Sequence, residues 1–171
     1  MSMGKSGAKW GLFLIRTLVR MSKWGDVEHM FVGTTQNTID EKGRLIIPIR
    51  YREMLEGGAF IMMGFDGNLM VMTSGYFNQI SEKINALSIT DASTRLLQMM
   101  IFQYADHLEV DRSGRILIPQ FLRQAAKLED IAVISGAGQY FAIWSPEIWA
   151  KKLEQLQDPD FTSQRFAALS I

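Results

Sequence analysis

The sequence predicts an α+β chain, mainly β, in which two pseudo-symmetric repeats build one barrel or sandwich decorated by short helices. Three observations carry this. Residues 37–77 lie on residues 108–148 at a constant offset of 71, without a gap. Each copy reads as strand, glycine turn, strand, short helix, hairpin and helix. Hydrophobic residues make up 47 % of the 171 residues, which belongs to a packed chain. Two copies are too few for a solenoid. Each is also too small for a good core of its own, so a core shared about a pseudo-two-fold axis is the economical solution.

The match is residue by residue. Asp40 falls on Asp111, Gly43 on Gly114, Arg44 on Arg115, Ile47 on Ile118, Pro48 on Pro119 and Arg52 on Arg123. Gly67 falls on Gly138 and Ser74 on Ser145, and apolar pairs such as Met63/Ile134, Leu69/Tyr140 and Met72/Ile143 follow. Strands are expected at Thr34–Ile39 and Ala105–Val110, each entering a tight turn whose glycine, Gly43 or Gly114, supplies a positive φ. The next strands, Leu45–Ile47 and Ile116–Ile118, stop at Pro48 and Pro119, which suit a helix's first position. Helices follow at Ile49–Leu55 and Gln120–Lys127, then hairpins around Gly67-Asn68 and Gly138-Gln139. Ser74 and Ser145 are expected to cap the next helices. Between the copies, Asp91–Tyr104 reads as a helix apolar nearly all round, hence buried against the barrel or a neighbouring subunit. The expected divisions are an extension at 1–29, repeats at 34–76 and 105–148, linking helices at 77–104, and a C-terminal helix and tail at 149–171.

Composition excludes several function classes. Lys+Arg and Asp+Glu both number 18, and there is no cysteine. Disulfide scaffolds, thiol catalysis and Cys-ligated metals are therefore ruled out. The two histidines, His29 and His107, are far apart, so no histidine relay or metal cluster is expected. Zero net charge argues against bulk electrostatic coating of nucleic acid but allows a local basic patch. Charge is uneven: residues 1–29 carry five basic and two acidic side chains, a net of +3, leaving −3 for 30–171. The apolar run Trp10–Val19 is too short to span a membrane and is followed by no cleavage site. The extension reads as poorly ordered or as translation from an upstream start, with Met30 the preferred start. The rival reading is a basic amphipathic helix.

The shared turn, Asp-x-x-Gly-Arg, admits two readings. In the first it is structural: Asp caps, Gly bends and Arg pairs with Asp. In the second, Asp40 and Asp111 fix the guanidiniums of Arg44 and Arg115, whose forks match guanine O6 and N7 in the major groove. Lys42, Arg50 and Arg52 lie near the first turn, Arg112 and Arg123 near the second. Other constellations are weak. Asp106, Glu109 and Asp111 alternate across a strand and read as solvated. Gly64-Phe65-Asp66-Gly67 lacks the context of a dinucleotide loop. The methionines (Met62, Met63, Met70, Met72, Met99, Met100) read as core filler, and His107 as a strand-surface residue.

The segments Asp40–Pro48 with Tyr51-Arg52, Asp111–Arg123, and Met30-Phe31-Val32-Gly33 resemble the MraZ family closely, over about residues 30–160. The resemblance implies two SpoVT/AbrB-like domains folded together as a duplicated split β-barrel. It also implies a transcriptional regulator of the division and cell-wall gene cluster, binding tandem upstream repeats as a ring-shaped homo-oligomer. The implied DNA contacts are Arg44 and Arg115, with Asp40 and Asp111 as supports. The first turn has Glu41 where the second has Arg112, so the copies need not contact DNA equally. The chain is expected to be cytoplasmic and nucleoid-associated, without cofactor, catalytic site or membrane contact. The alternative is an antitoxin-like or scaffold module that uses the same barrel to bind a protein.

Overall fold

The computed structural model describes residues 29–167 and 169. The expectations for 1–29 lie outside the described residues except at His29. From Phe31 onward the chain forms one compact unit. The first repeat contributes β1 (Thr34–Thr38), β2 (Arg44–Ile46), α1 (Ile49–Leu55), β3 (Ala59–Met63) and β4 (Leu69–Thr73). Two helices follow, α2 (Ser74–Asn85) and α3 (Ala92–Phe102). The second repeat contributes β5 (Asp106–Leu108), β6 (Arg115–Leu117), α4 (Gln120–Ala125), β7 (Ile131–Gly136) and β8 (Tyr140–Trp144). The chain then continues through α5 (Pro146–Gln157) and α6 (Pro159–Phe166). The α+β class and the duplication hold; α6, capped by the Asp158 carboxylate, is a helix the sequence reading did not separate from the tail.

The expected hairpins β3–β4 and β7–β8 pair within their own repeat, but β1, β2, β5 and β6 take their ladder partners from the other repeat. Six strands form one antiparallel sheet in the order β1-β7-β8-β4-β3-β5, and β2 pairs with β6 in a separate ribbon. Each repeat thus lends its first strand to the other's sheet, and the ribbon has one strand from each. The sheet is open, with β1 and β5 at its edges, and no closed barrel occurs among the described residues.

The core lies between one sheet face and a lid made of the ribbon, α1 and α4. Leu45, Ile47, Ile116 and Ile118 are fully buried there against Ile61, Leu69, Val71, Phe141 and Ile143. Alternation along β2 and β6 turns Leu45 and Ile116 inward, which leaves Arg44, Ile46, Arg115 and Leu117 on the outer side. Phe31, Tyr51 and Phe141 cluster at centroid distances of 5.0–5.2 Å, and the Tyr51 hydroxyl donates to the Val32 carbonyl at 2.8 Å. The opposite sheet face is covered by α2 and α3 over Met62 and Met72, and by Trp149 of α5 against Trp144.

Four sequence expectations change. Pro48 and Pro119 are the N-caps of α1 and α4, one place before the first helical residue. Thr73, not Ser74, caps α2, accepting from Tyr76 N at 3.2 Å, whereas Ser145 caps α5 as expected. Ser145 stands 72 positions after Thr73, so the gap-free offset of 71, which still relates Arg52 to Arg123 and Gly67 to Gly138, fails by the end of β4 and β8. The β3–β4 turn closes through Gly64 N to Asn68 O, the β7–β8 turn through Ala137 N to Tyr140 O. The second loop is shorter, and the registers drift accordingly. Leu69 and Tyr140, paired in the alignment, therefore end on opposite sheet faces. Finally, α3 is not buried all round: Thr94 and Ile101 are covered, while Leu96, Met99 and Met100 are 60 %, 59 % and 42 % exposed. Met99 and Met100 are thus not core filler, whereas Met62 and Met72 are. No helix among the described residues is long and apolar enough to cross a membrane.

Candidate nucleic-acid interface

The two Asp-x-x-Gly-Arg turns flank the β2–β6 ribbon, and their local chemistry explains why they form. In the first, Asp40 Oδ1 accepts from the backbone N–H of Lys42 at 3.0 Å and of Arg44 at 2.9 Å. Asp40 Oδ2 accepts from Arg44 Nε at 2.7 Å. Backbone bonds Gly43 N to Asp40 O and Asp40 N to Arg44 O close the loop. The second turn repeats this. Asp111 Oδ1 accepts from Ser113 N at 2.8 Å and Arg115 N at 2.9 Å, and Oδ2 from Arg115 Nε at 2.9 Å. Each carboxylate thus satisfies turn amides and fixes one edge of a guanidinium. These hydrogen bonds hold Asp40 and Asp111 below the usual carboxylate range, the Arg44 and Arg115 backbone N–H groups being the largest cause in each.

Gly43 and Gly114 adopt φ of +80° and +75°, where a side chain is strained. They are also covered by arginines of the other repeat. A Cβ at Gly43 would lie 2.7 Å from Arg123 Nε, and one at Gly114 would run into the Arg52 guanidinium. Arg52 Nε donates to the Ile47 carbonyl at 3.1 Å and Arg123 Nε to the Ile118 carbonyl at 3.2 Å. The backbone crosses in the same way, with Ile47 N to Gly114 O and Ile118 N to Gly43 O. Arg52 and Arg123 therefore brace the crossed turns. Arg50 lies over the Tyr51 ring at 5.4 Å and beside Gly33. Lys42 and Arg112 are exposed at the turn tips.

Arg44 and Arg115 remain on the ribbon's outer side with about a third of each side chain exposed (32 % and 28 %). Their Nε atoms are occupied, and Arg115 Nη1 is 3.9 Å from Asp40 Oδ2. The register places Arg44 opposite Leu117 and Ile46 opposite Arg115. Sequence reasoning singled out the arginines but missed Ile46 and Leu117, which are 48 % and 57 % exposed. The available signal was the period of two: both stand two places beyond an arginine.

Comparison with known proteins agrees with this duplicated architecture. The family model described as "MraZ protein, putative antitoxin-like" matches twice, at residues 30–100 and 101–170. The Transcriptional regulator MraZ of Roseiflexus castenholzii is 43 % identical over 82 % of this chain and 99 % of its own length. That of Thermomicrobium roseum is 41 % identical over 82 % and 99 %. That of Heliobacterium modesticaldum is 46 % identical over 74 % and 88 %. These relatives bear the name of a regulator and not of an enzyme. With both repeats matched and such identity over most of its length, the chain belongs to the MraZ family.

Proposed function

We propose that the protein is a sequence-specific, double-stranded DNA-binding transcriptional regulator whose β2–β6 ribbon enters the major groove. The observation that carries this reading is the crossed ribbon, which presents two carboxylate-anchored guanidiniums, Arg44 and Arg115, on one outer face. A two-stranded ribbon fits the major groove, and an arginine fork pairs with guanine O6 and N7. Anchoring Nε orients the fork before contact and lowers the ordering cost of binding. Lys42 and Arg112 at the tips suit phosphate contacts, which position without specifying. Following the family resemblance, the DNA is an array of tandem repeats upstream of the division and cell-wall genes. The protein would meet it on the nucleoid as a ring-shaped homo-oligomer. The outer face of α3 and the nearby exposed Phe65, Leu87 and Ile89 are the apolar ground on which copies would meet.

The protein-binding alternative would require an apolar groove on the arginine face. That face instead carries two ion-paired guanidiniums alternating with single aliphatics, Ile46 and Leu117, and forms no apolar groove, which favours DNA. The test is binding to a labelled duplex of the chain's own upstream sequence at fixed moderate salt. Arg44→Ala should lose about 1–3 kcal/mol per site, and Arg44→Lys should not restore it because an ammonium lacks the fork. Undiminished affinity in Arg44→Ala would overturn direct readout.

A further inference from the structure

The ribbon's outer face holds a second pair of side chains that the arginines do not explain. We infer that Ile46 and Leu117 are specificity residues that read thymine methyl groups beside the bases taken by Arg44 and Arg115. The inference rests on the DNA-binding reading above and deepens it.

Exposed strand faces are ordinarily polar, and a protein keeps aliphatic side chains there at a cost in solubility. Here Ile46 and Leu117 are about half exposed, whereas the intervening Leu45 and Ile116 are fully buried. About half of each outer aliphatic side chain is therefore left facing solvent, outside the core that Leu45 and Ile116 fill. The register makes them a pattern: Arg44 faces Leu117 and Ile46 faces Arg115, so two arginines and two aliphatics occupy opposite diagonals of one small patch. The flanking bonds Ile47 N to Gly114 O and Ile118 N to Gly43 O identify 44/117 and 46/115 as non-hydrogen-bonded pairs. Side chains approach most closely in such pairs.

Along one strand, residues two apart are separated by about 6.8 Å, close to two base-pair rises of about 3.4 Å. An arginine placed on a guanine thus carries its aliphatic neighbour to a base edge about two steps away. In the major groove the apolar feature of a base edge is the thymine 5-methyl group. The Ile46 carbonyl also accepts from Asn37 Nδ2 at 2.6 Å, tying this point of the ribbon to edge strand β1 and fixing where the side chain sits. Pseudo-symmetry gives each half of the ribbon the same arginine-then-aliphatic order, so the preferred site carries guanine and thymine at matched spacing on both strands.

The probe is the upstream duplex with single thymines replaced by deoxyuridine, which removes only the 5-methyl group. Wild-type affinity should fall about fourfold for each methyl that is read, the worth of one buried methyl-sized group. Ile46→Ser should bind the unmodified duplex about fourfold more weakly and show no further loss at one of those positions. Leu117→Ser should do the same at another. Both variants should keep the wild-type melting temperature, because the side chains are exposed. The inference is overturned if the wild type binds its upstream DNA specifically yet no deoxyuridine changes affinity. It is equally overturned if both serine variants retain full methyl sensitivity, since another residue would then read the methyls. If the wild type does not distinguish upstream DNA from a shuffled duplex, the DNA-binding reading itself falls. The replacement experiment alters only the DNA, so it stands even if a variant misfolds.

Discussion

Asp40 uses both carboxylate oxygens, one for backbone N–H groups and one for a guanidinium, and this division predicts a graded response to mutation. Asp40→Asn keeps an oxygen for the amides but loses the charge facing Arg44 Nε. Asp40→Ala loses both. DNA affinity should therefore fall from wild type through Asn to Ala, although Arg44 is present throughout; equal affinity in all three would show that the turn orients nothing. The pH dependence has a definite sign. The carboxyls of Asp40 and Asp111 in the folded protein titrate below the ordinary aspartate range, so their contribution is full well above that range and is lost as pH falls through the folded-state range. The stability difference between wild type and Asp40→Asn, from denaturant melts, should stay flat from about pH 7 to about pH 5 and shrink below about pH 4. The roles of Asp40 and Arg44 were legible because the bonds between them span four residues. Those of Arg52 and Arg123 were not, since each lies over a glycine of the other repeat and nothing local in the sequence marks that crossing.

The ribbon shows which elements a sequence can specify. Its two strands, α1 and the glycine turns follow from period, proline and glycine, and they appear within a residue or so of their expected places. Their partners do not follow, because antiparallel pairing within a repeat and between repeats buries the same inward face, and only the closed core chooses. The cap of α2 shows the same limit. Thr73 and Ser74 are both good caps, and the choice depends on a register shift set by unequal hairpin loops. The crossing makes a further prediction about the turns. Gly114→Ala would force a side chain into φ +75° and against the Arg52 guanidinium. It should destabilise the fold by about 1–3 kcal/mol. Gly57→Ala, at a glycine with open space around its Cβ position and no positive φ, should cost little. Denaturant midpoints of the two variants decide it, and equal midpoints would mean the turn relaxes freely.

At the scale of the whole molecule, charge limits what one subunit can do. Residues 30–171 carry a net charge of −3, and Arg44 and Arg115 are already paired with carboxylates. Little affinity can come from neutralising phosphates, a term that grows with the number of basic contacts. One ribbon on one repeat should bind weakly. If copies join through the exposed face of α3, their ribbons meet neighbouring repeats together, and each later contact becomes intramolecular. Avidity then rises by about 10²–10⁴ without any new kind of contact. Two measurements separate this from a self-sufficient subunit. Leu96→Glu with Met99→Glu, both at positions more than half exposed, should leave the fold intact but reduce the mass measured by light scattering. Titration against one, two, three and four upstream repeats should show wild-type affinity climbing steeply with repeat number and dropping when spacers shift by half a helical turn. In the double variant the climb should flatten while binding to one repeat is unchanged, because the Arg44 face is untouched. A single isolated repeat that binds as tightly as the array, or an array indifferent to phasing, would sink recognition by an assembly and return the affinity to one ribbon.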